Sequence, residues 1–209
     1  MIVVHHLNNS KSQRILWLLE ELGLEYEIKH YKRLPTGQSP PEMQKAHPLG
    51  KAPIVEIDGA VMAESGGVVQ LVLERYGDGR LSPATESPKY PQFLELLHYA
   101  EGSISSPIIM TLLSNLMGVD NPAFTGLLEK FVRTHLDFVG SLLETGTCLV
   151  GDEFTAADIQ LRFILQMASG QGLLDSRLRL REYVARMEGR PAYQRALKKG
   201  GPFDVSFGK

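Results

Sequence analysis

One cysteine, Cys148, stands among 209 residues. A single thiol excludes an internal disulfide and any Cys-x-x-Cys redox pair, and the apolar setting "CLVG" reads as a buried structural position. A large excess of either charge is also missing. With 22 basic and 24 acidic side chains the net charge is −2 and the pI near 6.3, which gives no global reason to expect a nucleic-acid partner. No apolar run approaches the roughly 18 residues that would suggest a membrane span. The start "MIVVHHLNNS" lacks the basic residues and long apolar stretch of a signal peptide, so the chain reads as cytoplasmic. The six histidines have no metal-ligand spacing, and His5 and His6 would face opposite sides of a strand; no metal is expected. There is no internal repeat and no low-complexity tract.

What is present is ordinary globular material: 43% hydrophobic and 22% charged residues, in a chain long enough for one large or two modest domains. Residues 2–7 read as a buried strand. After Ser10, the apolar Ile15, Leu18, Leu19 and Leu22 fall at helical spacing, and Gly23 supplies a stop. Ser10 and Gln13 have the spacing of a capping box. "EYEIKHY" (25–31) alternates as a second strand. The stretch 33–51 is crowded with turn formers around one short helix, 41–46. "PIVEI" is a third strand, Asp58-Gly59 a hairpin turn and "AVMA" a fourth strand. A helix over 65–76 follows, with Val68, Leu71, Val72 and Tyr76 on one face and Gly77 ending it.

The order βαβ then ββα implies one parallel crossover plus an antiparallel hairpin, hence a mixed four-stranded α/β domain over residues 1–78. The Gly-, Pro- and Ser-rich segment 79–90 reads as a linker. Residues 91–209 read as all-α, with helices over 91–117, 122–144, 155–168, 177–188 and 191–198. The basic run from Arg177 onward keeps Leu178, Tyr183, Val184 and Met187 for packing, and reads as a solvated helix face rather than a nucleic-acid stripe.

Three segments carry more information. In "HPLGKAPIVEI", Pro53 enters a strand where its missing N–H does little damage. A cis Ala52–Pro53 bond would let Ala52 present its backbone N–H and C=O to an extended peptide; an ordinary trans bond at a strand edge is the plainer reading of this segment alone. In "AES" (63–65), Ser65 can cap the following helix, whose first-turn N–H groups suit a carboxylate, while Glu64 can accept from an ammonium. A serine cap beside an exposed glutamate accounts for the same residues. In "EFTAADIQL", Thr155 and Asp158 make a capping box with Phe154 and Ile159 as a hydrophobic staple, a folding element rather than a site.

Taken in order, "NNSKSQRILWLLEELGLEYEI", "HPLGKAPIVEIDG", "MAES" and "FTAADI" resemble a cytosolic glutathione S-transferase, and the wording is most similar to the fungal and bacterial transferases that include a yeast enzyme. The resemblance covers nearly the whole chain and is weaker between 85 and 145. It implies a thioredoxin-like N-terminal domain, an all-α C-terminal domain, a homodimer, and glutathione as co-substrate for conjugation to small hydrophobic electrophiles, with hydroperoxide reduction as a further activity. A non-catalytic binding protein or an interaction domain of the same fold are the alternatives. By the resemblance, Ala52 would bond the cysteinyl backbone of glutathione ahead of a cis Pro53, Glu64 and Ser65 would hold the γ-glutamyl end, and Lys51 would lie near the glycyl carboxylate, with Gln38 and His47 as further neighbours. Ser10, or alternatively Ser12, would activate the thiol. Tyr99, Ser103 and Pro107 would wall the electrophile site, and Glu101 would reach the partner subunit's glutathione.

The chemistry is of the right size. A thiol with pKa near 8.5 is only about 3% thiolate at pH 7, and a depression of about two units, roughly 2.7 kcal/mol, makes it mostly thiolate. A hydroxyl donor plus a helix N-terminus can supply that. The absence of a cysteine at this position argues against disulfide chemistry by the enzyme's own thiol.

Overall fold

The computed structural model describes residues 1–203. The elements in chain order are β1 (Ile2–Leu7), α1 (Ser12–Leu22), β2 (Glu27–Tyr31), α2 (Met43–Ala46), β3 (Ile54–Ile57), β4 (Ala60–Met62), α3 (Ser65–Tyr76), α4 (Tyr90–Tyr99), a π-helical stretch (Ala100–Ile104), α5 (Ser105–Leu116), α6 (Pro122–Leu142), α7 (Ala156–Gly170), α8 (Leu178–Glu188) and α9 (Pro191–Gly200). The described residues form two compact units: Met1–Arg80 together with residues 188–203, and Leu81–Met187.

The first unit is thioredoxin-like. Its sheet runs β2-β1-β3-β4, with β1 parallel to β2 through the α1 crossover, and with β3 antiparallel to both β1 and β4. Ile57 pairs with Ala60 across Asp58 and Gly59, whose φ of 50° and 81° make the primed turn that matches strand twist. β1 is buried at every residue because both faces of this central strand are covered.

Periodicity predicts one apolar stripe on α1, yet the helix is buried all round. Ile15 to Leu19 are each at most 1% exposed, and Gln13, Arg14 and Glu20 are buried with them. The cause is α9, which packs on α1. Trp17 meets Tyr193 edge-on at 5.1 Å, Arg190 pairs with Glu21 at 2.7 Å, and Arg195 with Glu20 at 2.8 Å. Part of the basic C-terminal run therefore answers the carboxylates of α1 instead of forming a solvated face.

In the helical unit the expected helix over 91–117 is interrupted by the π-helical stretch, and α5 continues beyond it. Asn121 caps α6 by accepting from the Phe124 N–H at 3.1 Å. The capping box of Thr155 and Asp158 opens α7. Asp158 also accepts from the Leu149 N–H at 3.0 Å and the Tyr183 hydroxyl at 2.8 Å, so one buried carboxylate joins three segments. On α8, Leu178 is exposed and Leu180 takes the packing position, three and four residues before Tyr183 and Val184. Cys148 is buried, as its apolar neighbours suggest.

Candidate active site

β1 ends at Leu7, and the chain turns through Asn8 and Asn9 before α1. Arg33 grips this turn from outside. Its guanidinium donates to the carbonyls of Asn8, Asn9 and Gly37 at 3.1, 2.9 and 2.7 Å. The capping box of Ser10 and Gln13 does not form: Lys11 occupies the N-cap, without a side-chain cap bond. The first turn is tight, with Gln13 N–H on the Ser10 carbonyl and Arg14 N–H on that of Lys11, both i→i+3 bonds. That winding brings the Ser12 N–H, not that of Gln13, to the Ser10 hydroxyl, at 3.2 Å.

Ser10 Oγ also lies 2.7 Å from the Leu7 carbonyl and 2.7 Å from Ser12 Oγ. Ser12 Oγ is 2.9 Å from His6 Nδ1, and His6 Nε2 donates to the Gly200 carbonyl at 2.8 Å. Burial lowers the His6 pKa to about 4, the Gly200 bond acting the other way and His30 adding to the lowering. Of the two candidate serines, Ser12 has no exposed surface and Ser10 is 6% exposed.

The Ala52–Pro53 bond is cis. Ala52 packs against a cluster of Leu7, Met43, Ile54 and Ala63. Among the described residues its N–H and C=O have no backbone partner. The approach to it is pinned by the Ser39 hydroxyl on the Gly50 carbonyl, at 2.5 Å, and by His47, whose Nδ1 accepts the Leu49 N–H at 3.3 Å. Gly50 is in the left-handed region, φ 54°, where a Cβ would strike the Gln44 side chain at 2.7 Å. Gln38 is exposed on this loop and His47 is half-buried.

Ser65 is the first residue of α3 rather than its cap; Glu64, in extended conformation, precedes the helix. The Ser65 hydroxyl accepts from Arg14 Nη1 at 3.2 Å, and both side chains are buried. With that lone pair filled, the hydroxyl hydrogen is available to a ligand at the helix N-terminus. Lys51 and Glu64, assigned by resemblance to opposite ends of glutathione, pair with each other at 2.7 Å on the surface.

A family model described as the glutathione S-transferase N-terminal domain matches residues 4–83. Glutathione S-transferase 3 of Schizosaccharomyces pombe is 33% identical, over 95% of this chain and 88% of its own length. Glutathione S-transferase 1 of Saccharomyces cerevisiae is 33% identical, over 80% and 81%. The chain belongs to the glutathione S-transferase family. A crystal structure of a glutathione S-transferase from Actinobacillus pleuropneumoniae superposes with a TM-score of 0.91 at 35% identity, covering 99% of this chain and 96% of that one. The chain is thus a glutathione transferase, similar to the yeast enzymes in sequence and thioredoxin-like in its first unit.

The remaining candidates of the transferase lie in its helical unit. Tyr99 turns its hydroxyl to His135 Nδ1 at 2.6 Å and its ring to Phe138 at 5.2 Å, and burial raises its pKa. Glu101 and Ser103 are half-buried on the π-helical stretch, and Pro107 is buried near the start of α5. Sequence reasoning missed His6, Arg14 and Arg33 as holders of the site. The one available signal was Arg14 inside the apolar run of α1, an arginine that such a helix can bury only against a partner.

Proposed function

We propose that the chain conjugates the thiolate of glutathione to small hydrophobic electrophiles, as a cytoplasmic homodimer. The observation that carries this reading is the open backbone edge of Ala52. An extended peptide laid along it gains main-chain hydrogen bonds on both sides of one residue, as an added strand does. Its γ-glutamyl carboxylate then meets the N-terminus of α3 and the Ser65 hydroxyl, its ammonium meets Glu64, and its thiol meets Ser10. Exposed ion pairs contribute only about 0–1 kcal/mol. The ligand ammonium can therefore take over Glu64 and release Lys51 to the glycyl carboxylate, beside Gln38 and His47.

Ser10 is assigned the activating role because Ser12 is wholly enclosed. The ring of Tyr99, with Ser103 and Pro107, is assigned to the electrophile, and Glu101 to the partner subunit's glutathione. Crystals soaked with glutathione test the reading directly: density away from Ala52 would overturn it. A panel of electrophiles and hydroperoxides then separates conjugation from peroxide reduction. Glutathione bound at Ala52 with no turnover of any acceptor would make the protein a binder that kept the fold.

A further inference from the structure

Gly200 C=O, His6, Ser12 and Ser10 form one line of contacts at 2.8, 2.9 and 2.7 Å, from the last turn of α9 to the Ser10 turn. Its hydrogens can be arranged in few ways. A carbonyl only accepts, so the hydrogen of His6 sits on Nε2. Burial keeps the ring neutral, which leaves Nδ1 as a bare lone pair at neutral pH. The titratable ring facing it, His30 on β2, stands edge-on at 5.8 Å and opposes a charge on His6. Ser12 has one hydroxyl hydrogen, and the Nδ1 lone pair at 2.9 Å takes it in preference to the Leu7 carbonyl at 3.4 Å. Ser12 Oγ then offers only lone pairs to Ser10. The Ser10 hydrogen consequently has two inward acceptors, Ser12 Oγ and the Leu7 carbonyl, each at 2.7 Å. The line also depends on a glycine. A Cβ at Gly200 would lie 2.6 Å from Leu16 Cδ1 and 3.1 Å from His6 Cε1, so a side chain there would force one of these neighbours to shift.

We propose that His6 and Ser12 are positioning residues for Ser10: they turn its hydrogen inward, so that the glutathione thiol first meets Ser10 as a hydrogen-bond acceptor, and the thiolate gains a donor only when that hydrogen swings outward. This rests on Ser10 being the thiol-directed residue. His6 does not store the thiol proton. A base held near 4 is roughly four to five units too weak to keep the proton of a thiol near 8.5, so the proton passes to solvent. Once the Ser10 hydrogen points at sulfur, two hydroxyl hydrogens serve four acceptor positions: the sulfur, the Leu7 carbonyl, the Ser10–Ser12 contact and His6 Nδ1. Two inner contacts are left without a hydrogen, one of them the contact between Ser10 and Ser12 or that between Ser12 and His6. Ser12 therefore works against thiolate formation and holds the bound thiol above the pKa that Ser10 alone would give.

The test is the pKa of enzyme-bound glutathione, read from the ultraviolet absorbance of the thiolate across pH and from the pH profile of kcat/KM with chlorodinitrobenzene. Ser10→Ala raises it. Ser12→Ala lowers it by roughly 0.5–1 unit, the strength of one neutral hydrogen bond. His6→Leu releases the Ser12 hydrogen to Ser10 and lowers it in the same way. His6→Gln, whose amide can donate to Gly200 and accept from Ser12, restores the original value. A merely structural role would move the melting temperature and leave these pKa values alone, and unshifted values in Ser12→Ala and His6→Leu overturn the proposal. A raised value in Ser12→Ala overturns it too, by making Ser12 the donor to sulfur. Glutathione that binds by calorimetry without forming thiolate at any accessible pH removes the role of Ser10 itself, and this proposal with it.

Discussion

Ser65 accepts a hydrogen bond from buried Arg14 and keeps its own hydrogen for a ligand, so its removal acts on binding more than on folding. Ser65→Ala should weaken glutathione affinity by about 1.5–3 kcal/mol, the contribution of a hydrogen bond to a charged group. Isothermal calorimetry that finds the affinity unchanged would reduce Ser65 to a partner for Arg14. His6 makes a different demand, because its ring is 3% exposed and its pKa is lowered to about 4 by burial. The unfolded chain takes up that proton near pH 6.5, and the folded chain only near 4. Stability from this group is full above 6.5 and falls as the pH drops between those values, by a total on the order of 3 kcal/mol. Urea denaturation at stepped pH should show this slope in the wild type and a flatter one in His6→Gln; parallel slopes would mean that His6 is not held neutral. At this scale the sequence disclosed which residue types were present but not their partners. Arg14 and Ser65 are far apart in the chain, and neither a capping-box spacing nor a helix pattern contains that pair. The spacing at Ser10 and Gln13 was real, but a tight first turn gave the hydroxyl to Ser12 instead.

The strands, the Asp58-Gly59 turn and the capping box at Thr155 are local features, and each was legible because its cause lies within a few residues. The surroundings of α1 were not. A stripe of Ile15, Leu18, Leu19 and Leu22 suggests one buried face, and nothing near it reveals that α9 covers the other. The element that closes α1 has its own local oddity, Gly200 in its last turn, where the helical pattern alone gives no reason for a glycine. There a Cβ would fall 2.6 Å from Leu16 Cδ1 and 2.8 Å from Gln13 Oε1. Gly200→Ala should therefore destabilise the protein by about 1–3 kcal/mol, the usual cost of an extra methyl in a filled core. The usual expectation for a helix is the opposite sign, since alanine is the better helix former. A melting temperature equal to or above that of the wild type would show that α9 does not approach α1 this closely.

Taken whole, the chain divides between Arg80 and Leu81, but the allegiance of α9 was not legible, because composition sees only one more helix in a run of helices. The homodimer proposed above predicts that light scattering gives twice the 23.2 kDa of one chain; a single-chain mass at micromolar concentration would contradict it. The division of the described residues leads to a sharper test. The first unit is made of Met1–Arg80 and residues 188–203, so a fragment cut after the first α/β stretch lacks α9. In that fragment Trp17 loses the Tyr193 ring, Glu20 and Glu21 lose Arg195 and Arg190, and His6 loses its carbonyl partner on Gly200. Each loss leaves either apolar surface in water or a carboxylate or ring nitrogen without its bond, and together they are comparable with the roughly 5–15 kcal/mol that ordinarily separates a folded domain from its unfolded chain. Residues 1–80 alone should thus show no cooperative urea transition. The same residues joined through a flexible linker to 188–203 should recover one, because α9 returns its contacts without the helical unit. If the short fragment unfolds cooperatively at the same urea midpoint as the joined form, α9 is not part of that unit's core.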